Sequence, residues 1–161
     1  MAQARLRIMR SSTDWRPQAI DGVPDGLIVF DGVCVFCSSW VRFVIERDRA
    51  ERFRFTPVQS RYGSALAVRL GISVEDPETN AAVFGGRAYF KSDAALEVLS
   101  RLPRWSWARA LKLAPRFVRD GAYDWIARRR YRLFGRTEAC MVPSPELTAR
   151  FVFDQPAPAG Q

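Results

Sequence analysis

Leu27-Ile28-Val29-Phe30-Asp31-Gly32-Val33-Cys34-Val35-Phe36-Cys37 is the stretch that decides the fold. Four consecutive apolar residues suit an interior strand covered on both faces, and Asp31-Gly32 ends it with a turn. Cys34 and Cys37 follow at CxxC spacing. Beyond them Cys37, Trp40, Val41, Val44 and Ile45 recur at the interval of one helical face, with Arg42, Glu46, Arg47 and Arg49 on the other. The spacing predicts a helix over 34–49. A dithiol at a strand-to-helix junction suits thiol–disulfide exchange. The thiolate is the reacting species, and the unpaired N–H groups and positive dipole end of the first helical turn favour it.

With the helix beginning near Cys34, that sulfur is expected at the solvent-facing tip, with Cys37 beneath it. Cys34 is therefore the candidate attacking thiol and Cys37 the candidate resolving thiol. Val35 and Phe36 leave the intervening dipeptide uncharged and bulky, as candidate substrate contacts. Asp31 stands three residues before Cys34. A carboxylate raises the pKa of a neighbouring thiol, so its expected use is to take a proton from Cys37 during resolution. The alternative is that Asp31 caps the turn.

Outward from this stretch, residues 1–25 are polar, basic and broken by Pro17, Gly22 and Pro24, a loosely ordered lead-in onto which Trp15 and Ile20 are placed to dock. Phe53-Arg54-Phe55-Thr56 alternates at period two and predicts a second strand before Pro57. Ser60 is placed to cap a short helix that carries Tyr62, Leu66 and Leu70 inward and stops at Gly71. Ala81 to Phe84 and Arg87 to Phe90 flank Gly85-Gly86, a hairpin signal. Ser92-Asp93 is expected to cap a helix with Ala95, Val98, Leu99 and Leu102 on its buried stripe. The order is β-α-β-α-β-β-α over residues 26–103, an α/β arrangement with the dithiol at the start of the first helix.

From residue 104 the text becomes Arg- and Trp-rich. A short helix is expected from Trp105 to Leu113, interrupted by Pro115, then a longer one striped by Val118, Ala122, Trp125 and Ile126 that ends near Gly135. Phe151 to Phe153 is expected to pack, closing a helical extension over 104–153, and 154–161 reads as a frayed tail.

The totals narrow the chemistry. There is no histidine among 161 residues, which removes Ser-His and Cys-His catalysis and His-ligated zinc. Three cysteines are too few for a secreted disulfide scaffold. No run reaches the length of a membrane span, and the N-terminus lacks a signal-peptide core, so a reducing, cytoplasmic setting is expected. Cys34, Cys37 and Cys140 supply one ligand fewer than a structural zinc site needs. A zinc-stabilised, non-catalytic binding module is nevertheless the rival reading of the CxxC pair, and no metal is expected. Cys140 reads as an incidental thiol.

Charge is local. Residues 101–136 hold eleven Arg or Lys and two Asp, whereas the rest of the chain holds fourteen positive and fifteen negative residues. Arg101 to Arg136 is expected to be a helical subdomain whose Trp and Leu stripe packs on the sheet while its Arg face is solvated. Contact with an anionic membrane surface or an acidic partner is the next reading. No nucleic-acid motif accompanies the basic residues, and no specific nucleic acid is expected.

The chain resembles the DCC family of thiol–disulfide oxidoreductases, named for Asp-x-x-Cys-x-x-Cys, which stands here as Asp31 to Cys37. Further matching text is Trp40-Val41-Arg42-Phe43-Val44, Phe55-Thr56-Pro57-Val58-Gln59-Ser60, Ser92-Asp93-Ala94, Tyr123-Asp124-Trp125 and Arg130-Tyr131-Arg132-Leu133-Phe134-Gly135, with Cys140 followed by Pro143. The resemblance implies a thioredoxin-like three-layer sandwich and a dithiol redox role for Cys34 and Cys37, with that pair as the redox group and no other cofactor. Its partners would be a disulfide-containing protein or a low-molecular-weight thiol. Thioredoxin-like enzymes carry a cis-proline before the third strand; Thr79-Asn80-Ala81-Ala82 here has none, so substrate docking is expected to differ. Ser92-Asp93 resembles the place where glutaredoxin-like proteins hold a glutathione carboxylate, which makes both residues candidate substrate contacts.

Overall fold

The computed structural model describes residues 15–137 and 143–154; Cys140 and the expected tail beyond 154 lie outside the described residues. Five strands, β1 (Gln18–Ala19), β2 (Leu27–Phe30), β3 (Arg54–Pro57), β4 (Ala81–Phe84) and β5 (Arg87–Phe90), form one sheet in the order β1-β5-β4-β2-β3. β2 runs parallel to β3 and antiparallel to β4, and β4–β5 is the hairpin expected at Gly85-Gly86, both glycines taking positive φ. The helices are α1 (Val35–Arg47), α2 (Arg61–Leu70), α3 (Lys91–Leu99) and α4 (Arg116–Phe134), with 3-10 segments at Ser106–Leu113 and Thr148–Arg150. This is the thioredoxin-like α/β fold.

Alternation along the strands sorts the core into two layers. Leu27, Val29, Ala81, Val83, Ala88 and Phe90 meet Leu66, Ala67 and Leu70 of α2, together with Trp15 and Ile20 from the lead-in. Ile28, Phe30, Phe55, Ala82 and Phe84 face the other way, onto Val41 and Val44 of α1 and Ala94 and Val98 of α3. A fully buried Leu or Phe contributes about 1.5–3 kcal/mol, so the two layers fix the register of β2. The expected capping of α2 is observed: Ser60 accepts the Gly63 N–H at 2.9 Å and Gly71 closes the helix in the left-handed region.

Three expectations are corrected. The lead-in contributes a strand, β1, whose Gln18 and Ala19 pair with Ala88 and Arg87 on the β5 edge. α3 starts at Lys91 with no side-chain cap, so Ser92 and Asp93 sit inside its first turn. Finally, α4 is turned the other way round from its apolar stripe. Val118, Ala122 and Trp125 are exposed, while Arg130 is the helix's buried residue. Ion pairs decide the orientation. Arg119 binds Asp93 at 2.8 Å, Asp124 binds Lys91 at 2.6 Å, and Arg130 reaches Asp31 at 3.5 Å.

The C-terminal segment reinforces the free edge of β3. Phe151 bridges Phe55 in parallel, the Val152 N–H donates to the Phe55 carbonyl at 2.8 Å, and the Tyr62 N–H donates to the Phe153 carbonyl at 2.9 Å. Arg150 and Asp48, both buried, form an ion pair that locks this segment to the end of α1, where Asp48 also accepts the N–H groups of Arg52 and Phe53 at 3.1 and 3.0 Å.

Candidate active site

The β2–α1 junction positions the dithiol. Asp31 follows β2, and its Oδ1 accepts the Val33 N–H at 3.2 Å, as the turn-capping alternative has it. Cys34 is the N-cap residue of α1, which starts at Val35, one residue later than predicted. Its Sγ accepts the Cys37 N–H at 3.3 Å. The Cys37 thiol also donates to it, and that bond is the largest reason the Cys34 pKa is lowered to about 7. Burial opposes the shift, while the Cys37 N–H and the Arg130 charge assist it. For Cys37 the signs reverse: donation to Cys34, burial and the adjacent negative sulfur all push its pKa well up. One sulfur is therefore poised as a thiolate and the other held as a thiol, the division thiol–disulfide exchange requires.

The expectation of an exposed Cys34 is corrected. Cys34 is 0% accessible and Cys37 5%. The chain leaving α4 lies over the junction. Arg136 bridges Cys34 antiparallel, the Thr137 N–H and hydroxyl donate to the Val33 carbonyl at 2.9 and 3.3 Å, and the Val35 N–H reaches the Gly135 carbonyl at 3.4 Å. Gly135, at φ +93°, makes the reversal possible, in a conformation other residues reach only with strain. The helix tip is where the sequence places it; a segment a hundred residues away covers it.

Beneath the dithiol lies a buried polar cluster. Asp31 Oδ1 also accepts from Gln59 at 2.8 Å, and Oδ2 accepts from the Tyr131 hydroxyl and from Arg130 at 3.5 Å. Burial and donation to Asp31 push the Tyr131 pKa up to about 12, so it serves as a donor. Arg130 also pairs with Asp76 at 3.3 Å, and its buried Nε has no hydrogen-bond partner.

A cavity of about 180 Å³ opens beside Cys37, lined chiefly by apolar groups, among them Phe36, Trp40, Pro77 and Ile126, with Asp31, Glu78 and Arg130 as its charged members. Thr79 and Asn80, just before β4, also line it. The Asn80 N–H donates to the Tyr123 hydroxyl at 2.9 Å, so a side chain of α4 occupies that backbone donor. Phe36 stacks on Phe134 with ring centroids 4.8 Å apart.

The structure thus brings Asp31, Cys34, Val35, Phe36 and Cys37 together. Ser92 and Asp93 are engaged elsewhere: Ser92 Oγ donates to Asp120 and accepts from Arg119 at 3.1 Å, and Asp93 binds Arg119. Neither lines the cavity. Gln59, Tyr123, Arg130 and Tyr131 were given no individual role by the sequence, although each stands in a stretch that carries the resemblance. Among the described residues no group of three or more Cys, Asp or Glu side chains is arranged to hold a metal ion.

An uncharacterized Bacillus subtilis (strain 168) protein, YuxK, is 36% identical over 132 residues, covering 81% of this chain and 96% of that protein. A chloroplastic DCC family protein of Arabidopsis thaliana is 36% identical over 153 residues, covering 86% of this chain and 89% of its own. No solved structure matches. The family model for DCC1-like thiol-disulfide oxidoreductases matches residues 28–136, the span from β2 through α4 to the cover over Cys34, and the chain belongs to that family.

Proposed function

We propose that the chain exchanges its Cys34–Cys37 dithiol with disulfide substrates, proteins or low-molecular-weight disulfides. The observation that carries this reading is the pair of donors from Cys37, one N–H and one S–H, converging on the Cys34 sulfur at the start of α1. In the reducing direction the Cys34 thiolate attacks one substrate sulfur. An S–S bond forms to Cys34 as the substrate's own S–S bond breaks, releasing one substrate thiolate. Cys37 then attacks Cys34 in the mixed disulfide. The Cys34–Cys37 bond forms, the second substrate sulfur leaves and takes up the proton Cys37 gives, and two electrons have passed to the substrate. The reverse sequence oxidises a substrate dithiol.

Asp31, its carboxylate already met by four donors, acts in this reading as a positioning residue. It balances Arg130 and holds the turn that presents Cys34. Val35 and Phe36 flank the substrate sulfur, and the apolar cavity beside Cys37 receives a side chain next to the substrate disulfide. The reading assigns the chain to a reducing compartment, the cytoplasm on its own sequence; the name of the Arabidopsis relative places that protein in the chloroplast.

The test is turnover of oxidised glutathione and of a disulfide-bonded protein such as insulin. Cys34→Ser is expected to abolish turnover, Cys37→Ser to trap a mixed disulfide on Cys34, and Cys140→Ser to retain most activity. Full turnover by Cys34→Ser overturns the reading. The reduction potential of the couple then assigns its direction.

A further inference from the structure

Eight of the ten exposed large hydrophobic side chains among the described residues lie between Trp107 and Phe134. Leu113 is 89% exposed and Phe117 79%, with Trp107, Leu111, Val118 and Trp125 about half exposed. On α4 nine of the ten exposed positions, 117, 118, 121, 122, 125, 128, 129, 132 and 133, recur at three and four residues and form one continuous face. Its first half is apolar and its second half carries Arg128, Arg129 and Arg132. The neighbouring Arg104, Arg109 and Arg136 are exposed as well.

The same stretch exposes no acidic side chain: Asp120 and Asp124 are half-buried, turned to Arg116 and Lys91. The basic residues that pair with carboxylates, among them Arg119, Arg130 and Lys112, face inward. The outward face is thus purely cationic and apolar, the inverse of a solvated helix surface.

We propose that this face of the Trp107–Leu133 region docks on the surface of an anionic lipid bilayer. The arginines lie among the headgroups, and Leu113, Phe117 and Trp125 enter the acyl boundary. The aliphatic residues choose the partner. Leu111, Leu113 and Val118 gain from a hydrocarbon layer and have nothing to stack on in a nucleic acid, whose single strands reward aromatic side chains. No helix among the described residues is long and apolar enough to cross a membrane, so the association is peripheral. Phe134, at the end of the same helix, stacks on Phe36, which brings the docking face to the rim of the dithiol site.

The experiment is co-sedimentation of the full chain with vesicles of phosphatidylcholine alone or of phosphatidylcholine with phosphatidylglycerol. Binding is expected on the anionic vesicles and to weaken with salt. Each neutralised arginine, as in Arg128→Gln or Arg129→Gln, should weaken it about fivefold. The pair Leu113→Ser and Phe117→Ser should weaken it about tenfold or more. Far-ultraviolet circular dichroism and thiol titration of the same variants check that the fold is intact. Absence of binding to anionic vesicles overturns the proposal. So does binding that the Leu113→Ser/Phe117→Ser pair leaves unchanged, or that a single-stranded RNA competes away equally from the wild-type chain and from the Leu113→Ser/Phe117→Ser variant, since that face would then be a polyanion site.

Discussion

Replacing Thr137 by proline tests whether the segment after α4 governs access to Cys34. The substitution removes the N–H donated to the Val33 carbonyl at 2.9 Å and the hydroxyl bond to the same oxygen at 3.3 Å. The neighbouring bond from the Val35 N–H to the Gly135 carbonyl is long, at 3.4 Å. Arg136, extended in its bridge to Cys34, already has the backbone that a residue before proline prefers. One such hydrogen bond is worth about 1 kcal/mol net, so losing one or both raises the open population by roughly fivefold to thirtyfold. The assay is the rate of Cys34 alkylation by iodoacetamide in a Cys37→Ser/Cys140→Ser background, well above the thiol's midpoint. Thr137→Val keeps the N–H and should give a smaller rise. An unchanged alkylation rate in Thr137→Pro, with the Cys34 midpoint also unchanged, would refute the idea that this segment shields the thiol.

With Cys37 intact, in a Cys140→Ser background, Cys34 alkylation should show a midpoint near pH 7, rising in Arg130→Gln, which removes a stabilising positive charge, and falling in Asp31→Asn, which removes an opposing negative one; equal shifts in one direction would contradict the charge assignment. Because the folded pKa lies below that of an unfolded thiol, the reduced protein should gain stability as pH rises from about 7 toward the unfolded value. That gain is lost as pH falls through 7, and Cys34→Ser should flatten this part of the urea-unfolding profile. Asp48→Ala strands Arg150 inside the protein and should cost about 3–5 kcal/mol in the same urea assay; a loss below about 1 kcal/mol would remove the pair from the list of structural supports. Gly63→Ala places a Cβ 1.9 Å from the Pro57 carbonyl oxygen, so α2 must shift from β3, at a cost of about 1–3 kcal/mol or more. Its calorimetric midpoint should fall while the Cys34 alkylation midpoint stays where it was.

Much of the fold is legible because its signals are local. Leu27 to Phe30 is apolar at every position, Ser60 and Gly71 bound α2, and Gly85-Gly86 turns a hairpin; each feature is decided within a few residues. β1 escapes such a reading because two residues carry no periodicity, and Gln18 and Ala19 become a strand only against the β5 edge. The orientation of α4 escapes for a different reason. An apolar stripe through Val118 and Trp125 ordinarily faces a core, but here Asp31 and Asp93 sit beneath the helix and draw Arg130 and Arg119 inward, and burying those charges requires carboxylate partners that lie far off in sequence. The site divides the same way. The CxxC pair and the Asp31 turn are local and legible, whereas the cover over Cys34 and the Arg130–Tyr131 cluster come from residues a hundred positions away.

That separation in sequence is also a separation in time. On the ribosome, Cys34 and Cys37 emerge about a hundred residues before Gly135 to Thr137, an interval of roughly 5–20 seconds at ordinary elongation rates. Throughout that interval the thiols belong to a nascent chain that has not yet made its own shield. Any oxidant or chaperone at the tunnel exit meets them bare, and the reducing state of that compartment decides in what form the finished protein begins its life.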